Sequence, residues 1–293
     1  MKKISGRIIK GIGGFYYVRP TGSLALLETK ARGKFRHQKI TPMVGDYVDV
    51  AVDGKETAID TIKTRKNAFV RPPVANVDVA IIVFAAANPD PNLFLLNKLL
   101  ITAEYREVEP IICITKTDLV PAEAVAEIAA VFKDTPYAIV PVSNVETGSL
   151  RALTDLLTDK TAFLAGPSGV GKSTLANRLC AASEMETGGL SEKLGRGKHT
   201  TRHVELLNMD CGGYLLDTPG FSSLDIDEEM TAEDLKFYFP EFAQGACKFM
   251  NCTHRSEPKC AVKAQVEEGT INPLRYEHYL ELYDFLGKKE SWR

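Results

Sequence analysis

No stretch of the 293-residue chain approaches the roughly 20 consecutive apolar residues that a membrane-spanning helix requires. The N-terminus, MKKISGRIIKGIGGFYYVRP, opens on two lysines but lacks an apolar core of signal-peptide length. Cysteine is sparse, six in all, and three of the six cluster late beside a histidine, which does not suit a secreted disulfide framework. Internal repeats and low-complexity tracts are missing as well. These absences lead us to expect a cytoplasmic protein with no membrane partner. With 44% hydrophobic and 25% charged residues the composition is that of an ordinary soluble chain, and its length favours two or three domains. Monomer is the default expectation.

The net charge of −2 conceals a strong asymmetry. Residues 1–71 hold 15 Lys/Arg against 6 Asp/Glu, leaving 21 against 32 for the remainder. A basic end of this kind suggests contact with a polyanion. Within it, the segment KARGKFRHQK at 30–39 mixes Lys30, Arg32, Lys34, Arg36 and Lys39 with Phe35 and His37. Cations for phosphates beside rings for bases suit single-stranded nucleic acid. An exposed hairpin tip with one buried ring is the alternative.

The first ~70 residues read as five short strands, GRIIKG, GFYYVRP, SLALLET, DYVDVAV and TAIDTIK, separated by Gly, Asp and Thr. Five short strands without a convincing helix fit a small barrel of the OB type. From Val77 the texture changes. VDVAIIVFA is a continuous apolar run, as expected of a strand buried on both faces. Helix is expected near 93–105, 121–132, 150–158 and from Lys172; strand is expected at 111–115, YAIVPVS, 161–165 and GYLLD (213–217). That alternation predicts a parallel sheet covered by helices. After ~225 the pattern is mainly helical, ending in the amphipathic PLRYEHYLELYDFL.

Gly166-Pro-Ser-Gly-Val-Gly171-Lys172-Ser173 satisfies G-x-x-x-x-G-K-[ST] between an apolar strand and a helix. Its glycines let backbone N–H groups of Gly166, Ser168, Gly169, Val170 and Gly171 curl toward phosphates, and the helix start at Lys172–Thr174 adds its dipole. Lys172 is expected to reach the β- and γ-phosphates, and the Ser173 hydroxyl to ligate Mg²⁺. Asp217-Thr-Pro-Gly220 closes a later strand; Asp217 is expected to hold Mg²⁺ through water, with the Gly220 N–H facing the γ-phosphate. Thr115-Lys116-Thr117-Asp118 follows the strand IICI and resembles the N-K-x-D element of GTP-binding domains. A carboxylate at Asp118 can accept from both N1–H and the exocyclic amino group of guanine, a pair adenine lacks. Lys116 would stack its stem on the base. Thr115 replaces the usual Asn, which weakens one polar contact to the purine. Ser143, in Pro141-Val-Ser-Asn144, occupies the position of the element that supports guanine O6.

Where many GTPases place a water-orienting Gln after DxxG, this chain has Phe221, which cannot hydrogen-bond water. Gly195-Arg-Gly-Lys-His199-Thr200-Thr201 stands in the place of the first switch. One of its threonines should coordinate Mg²⁺; Thr201 is favoured over Thr200. His199 is a candidate to orient or deprotonate the attacking water. Farther on, Cys247-x4-Cys252-x-His254-x5-Cys260 gives three thiols and one imidazole, a ligand set for one structural, tetrahedral Zn²⁺. Cys252 and His254 would diverge on a helix, so a loop must wrap the metal. Such a metal would staple a small helical domain with little core of its own.

The guanine elements precede the phosphate loop, a circular permutation of the GTP-binding domain. With that order, a barrel in front and a cysteine cluster behind, the whole chain resembles the circularly permuted GTPases stimulated by the small ribosomal subunit, the RsgA/YjeQ/YloQ family. TKTD, GPSGVGKST, GRGKHTT, DTPGF and the cysteine pattern carry the resemblance in combination. It implies an OB-type β-barrel at 1–70, a permuted α/β P-loop GTPase domain at 71–224 and a mainly helical zinc-binding domain at 225–293. It also implies GTP hydrolysis on the small subunit during late maturation, ribosomal RNA as the barrel's polyanion, GTP and GDP as ligands, and a catalytic role for the matching histidine, His199. An RNA-binding switch with a slow or passive nucleotide site is the alternative function.

Overall fold

The computed structural model describes residues 2–54, 56–69, 72–143, 145–146, 148–181, 204–217 and 230–291. In chain order the elements are β1 (Lys2–Ile12), β2 (Phe15–Pro20), β3 (Leu27–Ala31), α1 (Lys34–His37), β4 (Tyr47–Asp53), β5 (Glu56–Ile62), β6 (Ala68–Phe69) and β7 (Val74–Ala75). There follow β8 (Val79–Ala85), α2 (Leu93–Tyr105), β9 (Glu109–Thr115), α3 (Ala122–Ala130), β10 (Ala138–Val142), α4 (Arg151–Leu157), β11 (Thr161–Ala165) and α5 (Lys172–Leu179). The last are β12 (Glu205–Asn208), β13 (Tyr214–Asp217), α6 (Ala261–Glu267) and α7 (Pro273–Ser291). The chain forms two compact units, one of residues 1–80, 153–164 and 173–222, the other of residues 81–152, 165–172 and 223–293.

In the first unit β1 pairs antiparallel with both β2 and β4, β2 with β3, and β4 with β5, while β3 runs parallel to β5. The pairings close a five-stranded ring in the order β1-β2-β3-β5-β4, the barrel expected of the five alternating segments. Alternation along β4 sends Val48 and Val50 inward; with Ile8, Val18 and Ile59 they are fully buried. The segment 30–39 departs from expectation. It is a helical turn, α1, whose Phe35 is buried at 5% exposure, and Arg32 and Lys34 both bond Asp60. Phe35 therefore belongs to the barrel core and offers no face to a base.

The same unit holds the short pair β6–β7 and the hairpin β12–β13, where β13 also runs parallel to β11. A single β-bridge, Lys10 opposite Glu205, links the strands of barrel and hairpin, beside a 2.7 Å ion pair between the two side chains. Neither β6–β7 nor β12 is among the expected strands, and β12 adds an antiparallel member to a sheet expected to be parallel.

In the second unit β8 lies beside β9, and β9 beside β10 in parallel register from Ile111↔Ala138 to Thr115↔Val142. All seven residues of β8 are buried, as its unbroken apolar run requires. α2 packs against β9 and starts at Asn92, whose side chain accepts from the Leu95 N–H at 2.9 Å. α2 also contributes Ile101 to a C-terminal core of Leu235, Phe239, Phe242, Tyr279 and Leu282. That core also encloses Arg275, 1% exposed and paired with Glu241 through Nε–Oε1 at 2.7 Å and NH2–Oε2 at 3.1 Å. Among the described residues no helix is long and apolar enough to cross a membrane.

Candidate nucleotide site and metal centre

β11 ends at Ala165 and the chain turns directly into the glycine-rich loop. Gly166 adopts φ +142°, and a Cβ there would lie 2.0 Å from the Val83 carbonyl oxygen, so the loop can leave the strand only through glycine. Ser168 and Gly169 are exposed on the loop, while the Val170 side chain is buried and anchors it. Lys172 opens α5 and bends its ammonium back, donating from Nζ to the carbonyl oxygens of Gly166 at 2.8 Å and Pro167 at 2.6 Å. Burial lowers its pKa from the ordinary lysine value. A partly desolvated cation held by neutral carbonyls gains from any phosphate placed in the loop. Ser173 and Thr174 are exposed in the first turn of the helix.

Thr115–Asp118 leaves the end of β9. Thr115 is 3% exposed, and its hydroxyl lies 2.5 Å from the Val170 carbonyl oxygen and 3.1 Å from that of Phe84. With one proton to donate, it binds the phosphate loop to the start of the guanine element. Its hydroxyl faces the loop carbonyl. Lys116 takes a left-handed backbone, φ +56°, and its Nζ donates to the Asn88 carbonyl. Asp118 lies in a 3₁₀ turn at Thr117–Leu119 and accepts from the Ser143 hydroxyl at 3.3 Å. Ser143 in turn accepts from the Val145 and Glu146 N–H groups at 3.2 and 3.1 Å. The fold thus brings Thr115, Asp118, Ser143, Val170 and Lys172 into one unit. Asn88 and Phe84 join them without any motif to announce them, since they take part through backbone carbonyls.

Asp217 ends β13, but its side chain lies outside the described residues, as do Asn144, His199, Thr200, Thr201, Gly220 and Phe221.

The cysteine cluster does converge. One ligand atom from each of Cys247, Cys252, His254 and Cys260 lies within 4.8 Å of all the others. Cys247 Sγ is 3.5 Å from His254 Nδ1 and 3.9 Å from Cys260 Sγ, and His254 Nδ1 is 3.4 Å from Cys260 Sγ. Zinc bonds of about 2.0–2.3 Å in a tetrahedron space their ligands by roughly 3.3–3.8 Å, so these donors fit one ion. Burial, with Lys236 nearby, lowers the His254 pKa and favours the neutral, ligating imidazole; burial pushes the Cys252 thiol up to about 12. The ligands sit on a loop, as the spacing of Cys252 and His254 demands. Two tyrosines of α7 hold it: Tyr279 donates to the Thr253 carbonyl and Tyr276 to that of His254, both at 2.6 Å. Glu257 closes it from within, accepting from the Thr253 N–H and hydroxyl at 2.7 Å and from the Arg255 N–H at 3.0 Å. Sequence reasoning missed these supports; the i, i+3 spacing of Tyr276 and Tyr279 was the available signal.

An OB-type barrel, a phosphate loop that follows its guanine element, and a Cys₃His cluster define a circularly permuted P-loop GTPase with a metal-binding C-terminal segment. Comparison with known proteins gives the family. The RsgA GTPase model matches residues 62–227 and the RsgA N-terminal domain model residues 5–59. Two proteins called "Small ribosomal subunit biogenesis GTPase RsgA" align over nearly the whole chain. One, from Clostridium botulinum, is 46% identical over 99% of this chain and 100% of its own. The other, from Caldanaerobacter subterraneus, is 48% identical over 100% and 99%. Among solved structures, YjeQ from Thermotoga maritima superposes with a TM-score of 0.85 at 33% identity, covering 97% of this chain and 99% of that one. YloQ, described as a circularly permuted GTPase, gives 0.82 at 38% identity, covering 98% and 96%. The chain belongs to the RsgA GTPase family and is a GTP-hydrolysing enzyme.

Proposed function

We propose that this protein hydrolyses GTP in response to the small ribosomal subunit and serves as a late maturation factor of that subunit. Relatives that match nearly end to end are called small ribosomal subunit biogenesis GTPases. The observation that carries the reading is the Thr115 hydroxyl on the Val170 carbonyl, which sets a base-selecting element against a phosphate-binding loop. In it the backbone N–H groups of Gly166, Ser168, Gly169, Val170 and Gly171 receive the phosphates, and Lys172 leaves its two carbonyls for the β- and γ-phosphates. Ser173 and Thr201 hold Mg²⁺, Thr174 lies beside the α-phosphate, Asp217 supports the ion through water, and Gly220 meets the γ-phosphate. Asp118, oriented by Ser143, selects guanine while Lys116 covers the base. His199 orients the water in place of a glutamine.

In the same reading residues 1–70 form an RNA-binding barrel, 71–224 the GTPase domain and 225–293 a helical domain stapled by Zn²⁺ at Cys247, Cys252, His254 and Cys260. The protein acts as a cytoplasmic monomer, with ribosomal RNA, GTP and GDP as its partners. Phe221 at the glutamine position favours one second reading, an RNA-binding switch whose nucleotide site turns over slowly.

GTP turnover titrated with purified small and large subunits decides between them. Strong stimulation by the small subunit alone is expected, and rates unchanged by either subunit would leave the switch. Asp118→Asn should weaken GTP and favour xanthosine triphosphate, because the amide offers an N–H to the xanthine 2-oxo group. Unchanged base preference in that variant would remove Asp118 from guanine selection.

A further inference from the structure

The unit that contains the barrel holds an open cleft of about 520 Å³, lined by β1, β2 and the loop that follows it, β4, Asp159 and the β12–β13 hairpin. Its wall carries an alternating series of rings and guanidinium groups. The Arg7 guanidinium lies 5.0 Å from the Tyr47 ring centroid and 5.2 Å from that of Tyr214, and Arg19 lies 5.6 Å from Tyr214. Arg7 is 8% exposed, and each of its three nitrogens donates to a neutral acceptor: Nε to the Gly45 carbonyl at 3.1 Å, NH1 to the Thr161 hydroxyl at 2.7 Å and NH2 to the Asn76 carbonyl at 2.9 Å. Asp46 and Asp78 act on it only through space. Arg19 is held through NH1 by Asn208 Oδ1 at 2.5 Å and the Tyr214 hydroxyl at 3.2 Å, while its buried Nε–H has no acceptor among the described residues. Arg7 is thus compensated within the wall, whereas the unpaired Nε–H of Arg19 leaves a charged donor that an anion in the cavity would satisfy.

A bare anion does not account for the rest of the wall. Tyr47 shows 47% of its surface, and Asp159 brings a carboxylate to the cavity, which repels a second negative charge and accepts hydrogen bonds. The matching ligand has one anionic end, one flat aromatic end, and an N–H or O–H to donate. We propose that this cavity binds a nucleotide unit, with the base against Tyr47, the phosphate beside Arg19, and Asp159 accepting from the base or the ribose. The volume lies within the range of about 300–1,000 Å³ common to small-molecule sites. The unit is either one unstacked residue of an RNA strand or a free mononucleotide. The first rests on the reading of the barrel as an RNA-binding module, and the site is separate from the phosphate loop.

The test is fluorescence anisotropy of the full chain with a short labelled single-stranded oligoribonucleotide of mixed sequence, with AMP as competitor. Tyr47→Ala should weaken binding about tenfold, the scale of losing one base–ring stack, and Arg19→Gln should weaken it severalfold by removing the cation beside the phosphate. Tyr47→Trp should retain it, and melting temperature and subunit-free GTP turnover should hold in all three, which a packing role alone would not give. Weakened RNA binding that AMP does not compete assigns the site to an RNA residue; competition by AMP that Tyr47→Ala abolishes assigns it to a free nucleotide. Wild-type affinity for both probes in Tyr47→Ala and Arg19→Gln overturns the proposal, as does a wild-type chain that binds neither. Subunit-stimulated GTP turnover in that same wild-type chain shows that the functional reading survives such a failure.

Discussion

At Thr115 one hydroxyl proton faces two buried carbonyls, Val170 at 2.5 Å and Phe84 at 3.1 Å. Thr115→Val keeps the shape and removes the donor, leaving the Val170 carbonyl without that bond at the point where the phosphate loop meets the guanine element. The expected loss is about 1–3 kcal/mol of stability by urea unfolding, because a buried acceptor is stranded. GTP affinity should fall several-fold with no change in the preference for guanine over adenine, since Asp118 is untouched. A variant as stable and as tight as the parent would show that the bond is idle. This is also where reading the sequence stopped short. The motif placed Thr115 in the guanine element, but the partner of its side chain is a main-chain oxygen 55 residues away. Such partners carry no side-chain signature. Phe35 was ambiguous for a related reason: among lysines and arginines its ring reads as a base-stacking group, and only the fold shows it buried in α1, as the alternative reading of one buried ring had it.

At the scale of elements, apolar runs were legible, down to the four-residue β13 read from GYLLD, while short mixed segments were not. VAIIVFA and the α2 segment announce themselves by length and pattern, and both lie where expected. β12, the polar-flanked ELLN, and the two-residue β6 and β7 carry no apolar run of their own to register. The cysteine loop was legible as a ligand set but not as a structure, because α7 supplies its supports from beyond the motif. Those supports set the expected outcome of metal removal. Stripping the ion with a chelator leaves thiols and a neutral imidazole buried together, with Tyr276, Tyr279 and Glu257 still bonding the loop backbone. Hydrogen exchange should therefore rise sharply across 247–260 while α7 and β8–β10 stay protected. Tyr279→Phe retains the ring in its core and loses the bond to Thr253, so it should cost about 1 kcal/mol and weaken metal retention. Loss of protection across β8–β10 on chelation would mean that the metal supports far more than its own loop.

For the molecule as a whole, the compact units do not follow the motif boundaries: the barrel shares a unit with β11, β12 and β13. Arg7 shows how this comes about. It sits on β1 of the barrel, yet it donates to Thr161 on β11 and to the Asn76 carbonyl, and its guanidinium lies against Tyr214 on β13. A barrel tied this way should not unfold as an independent module. Arg7→Met fills similar space but strands the three acceptors, an expected loss of about 2 kcal/mol or more even after the relief of a buried charge. The loss should appear in one transition common to the barrel and to β11–β13, as read by hydrogen exchange in increasing urea, because the stranded groups lie on both sides of the contact. If β1–β5 instead opened at lower urea in the variant while β11 and β13 kept the parent's midpoint, the barrel would be a module that merely leans on its neighbour. The basic end of the chain would then meet RNA through an independent domain, and ligands at the barrel would have no cooperative route to β13, the strand that ends at Asp217.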